Sequence, residues 1–186
     1  NGRTITYDNT PNITVPNGDF ELGLGTTPSN WALTNGAGAR RITQQPGIVV
    51  WNGTYYLQFA AGASNQFVLS DIVNLPPNTS LTVSAMVFND CDSNPATTYV
   101  QLVDVNAAAL SQKGVPAFGE SYKCTSHRGV MYVWATYATG PSAVQARVKL
   151  GIDGTLGKNA YFDKVTVQPR YNMGINAACY SCDNFT

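Results

Sequence analysis

Short segments with the two-residue period of β-strands, separated by turn residues, restrict the fold of this chain more than any other feature of its sequence. Apolar and polar side chains alternate in residues 81–88 and again in residues 144–152, which predicts strands with one buried face. Turn dipeptides such as Asn35-Gly36 separate the segments. We predict strands at residues 31–34, 39–43, 55–59, 66–73, 81–88, 98–105, 130–137, 144–152 and 160–167.

No long segment keeps a helical period, although residues 107–113 could form one helical turn. Short strands without helices predict an all-β sandwich or barrel, and 186 residues are enough for one such domain. The sequence has no run of 18 apolar residues, so we predict no membrane span. Since it lacks an initial Met and a charged-then-apolar leader, we expect a mature or trimmed chain.

The two ends of the predicted sandwich carry a family resemblance. Residues 17–21, Asn-Gly-Asp-Phe-Glu, are followed by Trp31 and resemble the start of the carbohydrate-binding modules that adopt a jelly-roll, galactose-binding-like β-sandwich fold. Residues 160–167, in which an aromatic pair and Asp163 precede alternating valines, resemble the last strand of those modules. The resemblance implies a sandwich of two antiparallel sheets, with Trp31 in its core.

The resemblance covers residues 17–170, and we predict this range to be the sandwich. Residues 1–16 form an extended N-terminal arm or an edge strand in this interpretation, and residues 171–186 form a C-terminal tail. Within the opening stretch, strand alternation predicts that Phe20 and Leu22 share one face.

A low content of charged residues, 12%, and the presence of four cysteines favour an extracellular location. The chain has 11 basic and 11 acidic residues, so it has no electrostatic reason to bind nucleic acid or anionic lipid. Four cysteines allow three disulfide pairings, of which we favour Cys91–Cys124 with Cys179–Cys182. The alternative is a thiolate metal site, for which only Cys179 and Cys182 have ligand spacing.

Four sequons match the acceptor pattern for N-glycosylation, at Asn12, Asn52, Asn78 and Asn184. A chain rich in Asn, Ser and Thr produces several such matches by chance, so their number carries little weight. Their placement is more informative, because Asn52 and Asn78 fall in predicted turns where a glycan is tolerated.

The sequence contains no convincing catalytic motif. His127 is the single histidine, and a Ser-His-Asp or Cys-His site would need it, but it lies in a polar loop. Glycoside cleavage needs two carboxyl groups at one cleft, whereas the two glutamates, Glu21 and Glu120, lie in unmatched contexts. We therefore expect no catalytic residues and no enzyme activity.

Three acidic residues are candidates for a structural calcium site. The resembling modules often hold Ca²⁺ where the first and last strands meet, and Asp19, Glu21 and Asp163 match those positions. By the two-residue period Asp163 faces the same side as Val165 and Val167, where a carboxylate needs a partner. Backbone carbonyls would complete the oxygen shell that Ca²⁺ requires. Alternatively, Asp163 accepts hydrogen bonds from backbone N–H groups.

Exposed aromatic rings beside polar groups are candidates for a glycan site, because rings stack on the C–H faces of sugars and polar groups bind the hydroxyls. Trp51 lies at a predicted turn, where burial is difficult. Tyr132 and Trp134 share a strand face that is either a stacking platform or, more commonly for aromatic residues, core. The candidate binding residues are Trp51, Tyr55, Tyr99, Tyr132 and Trp134, with Gln101 and Arg147 as polar partners.

Two interpretations of function remain open. The first is a secreted, non-catalytic carbohydrate-binding module whose partner is a glycan or polysaccharide. The second is a structural subunit of an extracellular or cell-surface glycoprotein filament, in which the arm or the tail adds a β-strand to a neighbouring copy.

Overall fold

The computed structural model describes residues 13–34, 38–43, 53–89, 96–108, 110, 121–123 and 129–169. The four cysteines, Trp51, His127 and the sequons at Asn12, Asn52 and Asn184 lie outside these residues. The disulfides therefore stay predictions. So does the filament interpretation, because residues 1–12 of the predicted arm (1–16) and the whole tail, 171–186, lie outside the described residues.

Thirteen strands account for the regular secondary structure of the described residues, which include no helix long and apolar enough to cross a membrane. The strands are β1 (Gly23–Leu24), β2 (Thr27–Pro28), β3 (Trp31–Thr34), β4 (Ala39–Thr43), β5 (Tyr55–Phe59), β6 (Phe67–Ser70), β7 (Val73–Leu75), β8 (Ser80–Asn89), β9 (Thr97–Asp104), β10 (Ser121–Lys123), β11 (Gly129–Ala138), β12 (Val144–Asp153) and β13 (Ala160–Pro169).

The strands form two main antiparallel sheets, as the sequence predicts. The six-stranded sheet has the order β10-β9-β12-β6-β3, with β7 paired to the start of β12, and the five-stranded sheet has the order β11-β8-β13-β5-β4. Strands β1 and β2 form a separate hairpin. The segment predicted as one strand at residues 66–73 is divided into β6 and β7, because the chain bends at Asp71 between them.

The core lies between the sheets and is built from the apolar face of each strand. In β12 the side chains of Ala146, Val148, Leu150 and Ile152 are at most 1% exposed, which confirms the predicted alternation. Burying each large aliphatic side chain contributes roughly 1.5–3 kcal/mol relative to leaving it exposed. Val15 is also buried and Ile13 packs against the core, so the last residues of the predicted arm lie against the sandwich.

The opening stretch is a turn and not a strand. Asn17 and Phe20 have positive φ angles of 49° and 57°, and this left-handed backbone breaks the alternation that a strand requires. As a result Phe20 is fully buried against Trp31, with ring centroids 5.1 Å apart, whereas Leu22 is 61% exposed. The prediction that Phe20 and Leu22 share one face is wrong, and the prediction that Trp31 is core is confirmed.

Asn17 holds this turn together. Its Oδ1 accepts a hydrogen bond from the N–H of Leu22, and its Nδ2 donates to the carbonyls of Leu22 and Ser29, all within 2.8 Å. Its own carbonyl accepts the indole N–H of Trp31 at 2.9 Å. Asn tolerates the left-handed backbone and can bond to nearby main chain in this way, so one residue fixes the path of the chain into the core.

The opening turn is hydrogen-bonded to the last strand. The N–H of Val165 donates to the carbonyl of Gly18 at 2.8 Å. A Cβ on Gly18 would collide with the backbone carbonyl of Val165, so a glycine is needed for this close approach. The predicted neighbourhood of the two motifs is therefore confirmed.

A β-bulge in β13 corrects the predicted orientation of Asp163. Asp163 lies opposite Met86 and Val167 lies opposite Val83, with a register shift between the two pairs. Because Met86 and Val83 are on opposite faces of β8, Asp163 faces away from the core that Val167 enters. The extra residue is Lys164, whose φ of 47° marks the bulge. The predicted shared face of Asp163 and the valines is wrong.

Arg41 supports the opening turn from β4. Its side chain is 5% exposed, and Nε and Nη2 donate to the carbonyls of Phe20 and Glu21, each at 2.6 Å. The guanidinium carbon lies 3.2 Å from the centroid of the Tyr55 ring. The two carbonyl oxygens accept hydrogen bonds from the buried guanidinium, and the face of the Tyr55 ring attracts its positive charge.

Glu21 connects the turn to the start of β5. Its Oε1 accepts hydrogen bonds from the N–H groups of Thr54 and Tyr55, both at 2.8 Å. Gly53, with a φ of 84°, leaves room for this carboxylate, since a Cβ there would collide with it. Glu21 therefore works as an acceptor for backbone donors.

We predict that Gly18→Ala destabilises the fold by about 2 kcal/mol, because the added methyl group meets a backbone atom that cannot rotate away. Urea unfolding measures the loss as a lower midpoint at unchanged slope. Gly140→Ala is the matched control, since a Cβ there meets no atom within 4 Å. Equal midpoints for the two variants would show that Gly18 and Val165 are not in tight contact.

We predict that Glu21→Gln lowers the free energy of unfolding by about 1 kcal/mol, because a neutral amide oxygen is a weaker acceptor than a carboxylate. Relative to the native protein, the variant should lose as many degrees of melting temperature in a buffer with calcium as in a buffer with chelator. A loss seen only in calcium would instead identify Glu21 as a calcium ligand.

Candidate functional site

The sandwich has two outer faces, and the outer face of the five-stranded sheet is buried at its centre. Tyr56 and Tyr161 point to this face yet are only 2% and 7% exposed. Their rings meet edge to face at 5.1 Å, and Phe88 lies 6.0 Å from Tyr161. A ligand has little access to rings packed in this way.

The outer face of the six-stranded sheet carries an open cavity of about 570 Å³. We call it the aromatic trough, and it is lined by Asn65, Phe67, Thr97, Tyr99, Gln101, Lys149, Ile152 and Asp153. The register brings two of these rings into one row, because Tyr99 of β9 and Phe67 of β6 both lie opposite Gly151 of β12. The three strands thus set two half-buried rings on either side of a residue without a side chain.

Gly151 allows the ring of Tyr99 to lie across the sheet. A Cβ at Gly151 would collide with the Cζ, Cε1 and hydroxyl oxygen of Tyr99. Any other residue at this position would therefore push the ring away from the strand. The result is an aromatic surface laid close to the sheet, with part of the ring open to solvent.

Lys149 places a cation beside both rings. Its Nζ lies 4.3 Å from the ring centroid of Phe67 and 5.6 Å from that of Tyr99, within the range of cation–π attraction. Burial lowers the pKa of Lys149 below its ordinary value. Gln101 lies directly opposite Lys149 on β9, so an amide and an ammonium stand next to the aromatic surface.

The far end of the trough is polar and carries a negative charge. Asp153 lies opposite Thr97, and Asn65 is fixed there by exchanging hydrogen bonds with the backbone of Gly154 at 2.8 and 3.1 Å. Burial, together with the negative charge of Asp153, raises the pKa of Tyr99 to about 12. The phenol of Tyr99 therefore stays protonated near neutral pH and can donate a hydrogen bond.

The predicted binding residues divide among three places. Tyr99, Gln101 and Arg147 all lie on the face with the trough, where Arg147 donates from Nη1 to the carbonyl of Ser70 at 2.9 Å. Tyr55 is half-buried in the five-stranded sheet, where its ring lies against the guanidinium of Arg41, so it is not part of the trough.

The remaining candidates are on the other side of the sandwich or outside the described residues. Trp134 lies opposite Ser84 and is half-buried on the outer face of the five-stranded sheet. In the backbone register of the two strands, Tyr132 is paired with Met86, and its part in binding stays a prediction. Trp134 is therefore separated from Tyr99 by both sheets of the sandwich. Trp51 lies outside the residues described.

Of the eight residues that line the trough, only Tyr99 and Gln101 were predicted as binding residues. The residues missed that matter most to its shape and charge are Phe67 and Lys149, together with Gly151 beneath the ring of Tyr99. All three lie in segments predicted as strands, 66–73 and 144–152, and the alternation in the second segment is confirmed. What the sequence did not show is which strands are neighbours, so the row of Tyr99, Gly151 and Phe67 could not be recognised. A glycine within an otherwise regular strand is a signal of close approach.

The three carboxylates predicted to hold calcium each accept a hydrogen bond from a backbone N–H group. Within the part of the chain that the structure describes, no group of three His, Cys, Asp or Glu side chains could hold a metal ion. Asp163 is buried and its Oδ1 accepts the N–H of Lys164 at 2.7 Å, while Asp19 accepts from the N–H of Glu21. Calcium binding stays a prediction.

Comparison with known proteins bears on the fold. No family model and no curated protein matches this sequence. Among solved structures, TmCBM61 in complex with β-1,4-galactotriose matches with a TM-score of 0.61 and 13% identity, over 87% of this chain and 100% of that chain. The CBM22-1 xylan-binding domain from Paenibacillus barcinonensis Xyn10C matches with a TM-score of 0.52 and 16% identity, over 82% and 91%.

Parts of larger proteins match as well. The arabinose-bound MgGH51 α-L-arabinofuranosidase gives a TM-score of 0.61 at 18% identity, but this chain spans only 26% of that enzyme, and 21% of the tailspike protein 4 enzymatically active domain of bacteriophage CBA120. The structural neighbours are mostly carbohydrate-binding modules. The chain has the β-sandwich fold of those modules, as its opening and closing motifs predict.

Proposed function

We propose that this protein is a secreted, non-catalytic carbohydrate-binding module that binds a glycan in the aromatic trough. The observation that carries the proposal is the ring of Tyr99, laid across Gly151 with one part open to solvent and polar side chains on either side. A flat ring binds the C–H face of a sugar, and the neighbouring amide and hydroxyl groups bind its hydroxyls.

The size and chemistry of the trough suit this ligand. Its volume of about 570 Å³ falls within the ~300–1,000 Å³ typical of ligand sites. Gln101, Asn65 and Thr97 offer both donors and acceptors, and the protonated phenol of Tyr99 adds a donor. Two structural neighbours, one in complex with galactotriose and one named as xylan-binding, support the choice of a glycan.

The composition of the trough also supports a binding role without catalysis. Asp153 is the one carboxylate among the described residues that line it, whereas hydrolysis of a glycoside generally uses two carboxyl groups facing the bond. The low charge of the chain and the sequon at Asn78, which is exposed in a turn, support an extracellular location.

We predict that Tyr99→Ala weakens polysaccharide binding at least about tenfold, because the stacking surface is lost from the centre of the site. Affinity electrophoresis through gels containing galactan or xylan measures the change. Trp134→Ala is the matched control, since it removes a half-buried aromatic ring from the opposite face. If only the Trp134 variant lost binding, the binding site would lie on the five-stranded sheet and not in the trough.

We predict that Gly151→Ala also weakens binding while leaving the fold stable. The added methyl group meets the outer part of the Tyr99 ring, which can rotate away, so the platform is displaced at little cost to folding. Titration calorimetry with the polysaccharide that binds the native protein measures the affinity, and Gly140→Ala controls for the loss of a glycine. An unchanged affinity in Gly151→Ala would show that the ligand does not use the ring in this position.

A further inference from the structure

The ammonium of Lys149 is half-buried between two rings and has no carboxylate beside it within the described part of the chain. Burial alone shifts its pKa downward, and no neighbouring negative charge opposes that shift. A lysine on the surface of a protein usually keeps its ammonium in water. Here the side chain instead lies along the aromatic trough, with its charge partly desolvated.

The charges on this face are separated along β12. Arg147 lies two residues from Lys149 on the same face, about 7 Å along the strand. Asp153, the carboxylate of the trough, lies on the far side of Gly151, about 13 Å from Lys149 along the strand, and its negative charge acts on the phenol of Tyr99. The end of the face with Lys149 is therefore positive, and no described side chain neutralises it there.

Building on the proposed function, we propose that the glycan bound in the trough is acidic, with a sugar carboxylate paired to Lys149. A sugar lying on Tyr99 covers the ammonium and removes more of its water, which is costly unless an acceptor replaces that water. A carboxylate does so with a charge-assisted hydrogen bond, whereas a neutral hydroxyl is a weaker acceptor. Gln101, opposite Lys149, can bind the hydroxyls of the same sugar.

The test compares acidic glycans with their own neutral forms. Polygalacturonate is compared with its methyl ester, and sialyllactose with lactose, so the two pairs distinguish a uronate from a sialic acid. Neutral galactan and xylan are titrated in parallel. We expect one acidic member to bind the native protein at least about tenfold more tightly than its neutral form, with an affinity that falls as sodium chloride is raised.

Variants identify the cation. Lys149→Gln should abolish the preference for the acidic form, and Lys149→Arg should retain part of it. Lys164→Gln is the control, because it removes the same charge from an exposed position on β13. The inference is overturned if acidic and neutral forms bind equally, or if Lys149→Gln keeps the preference.

Failure of this inference is distinguishable from failure of the proposed function. If neutral galactan or xylan binds with no acidic preference, and Tyr99→Ala abolishes that binding, the trough is a site for neutral glycans. If no acidic or neutral glycan binds, both proposals are overturned.

Discussion

The hydrogen bond between the N–H of Val165 and the carbonyl of Gly18 joins the two ends of the sandwich, and much of the described structure depends on it. It forms only because two local irregularities coincide. The opening turn presents a backbone without a side chain at Gly18, and the bulge at Lys164 shifts the last strand so that Val165 points into the core. Either irregularity alone would leave a backbone donor or acceptor without its partner.

The same turn determines what enters the core at this end. Asn17 satisfies backbone groups of the turn, so the chain can direct Phe20 inward against Trp31. Arg41 donates hydrogen bonds to the carbonyls of Phe20 and Glu21, which have no strand partner among the described residues. Burying a guanidinium is costly unless its donors are satisfied. The cost is offset here by two short hydrogen bonds and the ring of Tyr55. Polar contacts therefore hold the shape of this turn as much as burial does.

How much of this could be predicted from sequence depends on whether the information is local. Alternation within a strand is local, so β12 and the buried residues Val148 and Leu150 were predicted correctly. Alternation fails where the backbone turns left-handed, as at Phe20, or gains a residue, as at Lys164. Both positions have positive φ without a glycine to signal it, which is why the faces assigned to Leu22 and Asp163 were wrong.

The candidate site was harder to predict, because it depends on the order of strands in a sheet. Tyr99, Gly151 and Phe67 come from β9, β12 and β6, which are distant in sequence and become neighbours only through the topology. Aromatic content alone favoured the Trp51 turn and Trp134 instead. Exposure of a ring in a sheet follows from which face is covered, and that is a property of the assembled sandwich.

Two costs to stability occur together in the trough. Gly151 lies within β12 without contributing a side chain to packing. Lys149 holds its ammonium partly out of water without a carboxylate beside it in the described structure. A sequence selected for stability alone would remove both, since a β-branched residue at position 151 and a neutral residue at position 149 would suit this sheet. Departures from local rules are expected where a surface serves binding. Their coincidence beside one open cavity favours this face over the buried, well-packed aromatic cluster on the opposite sheet.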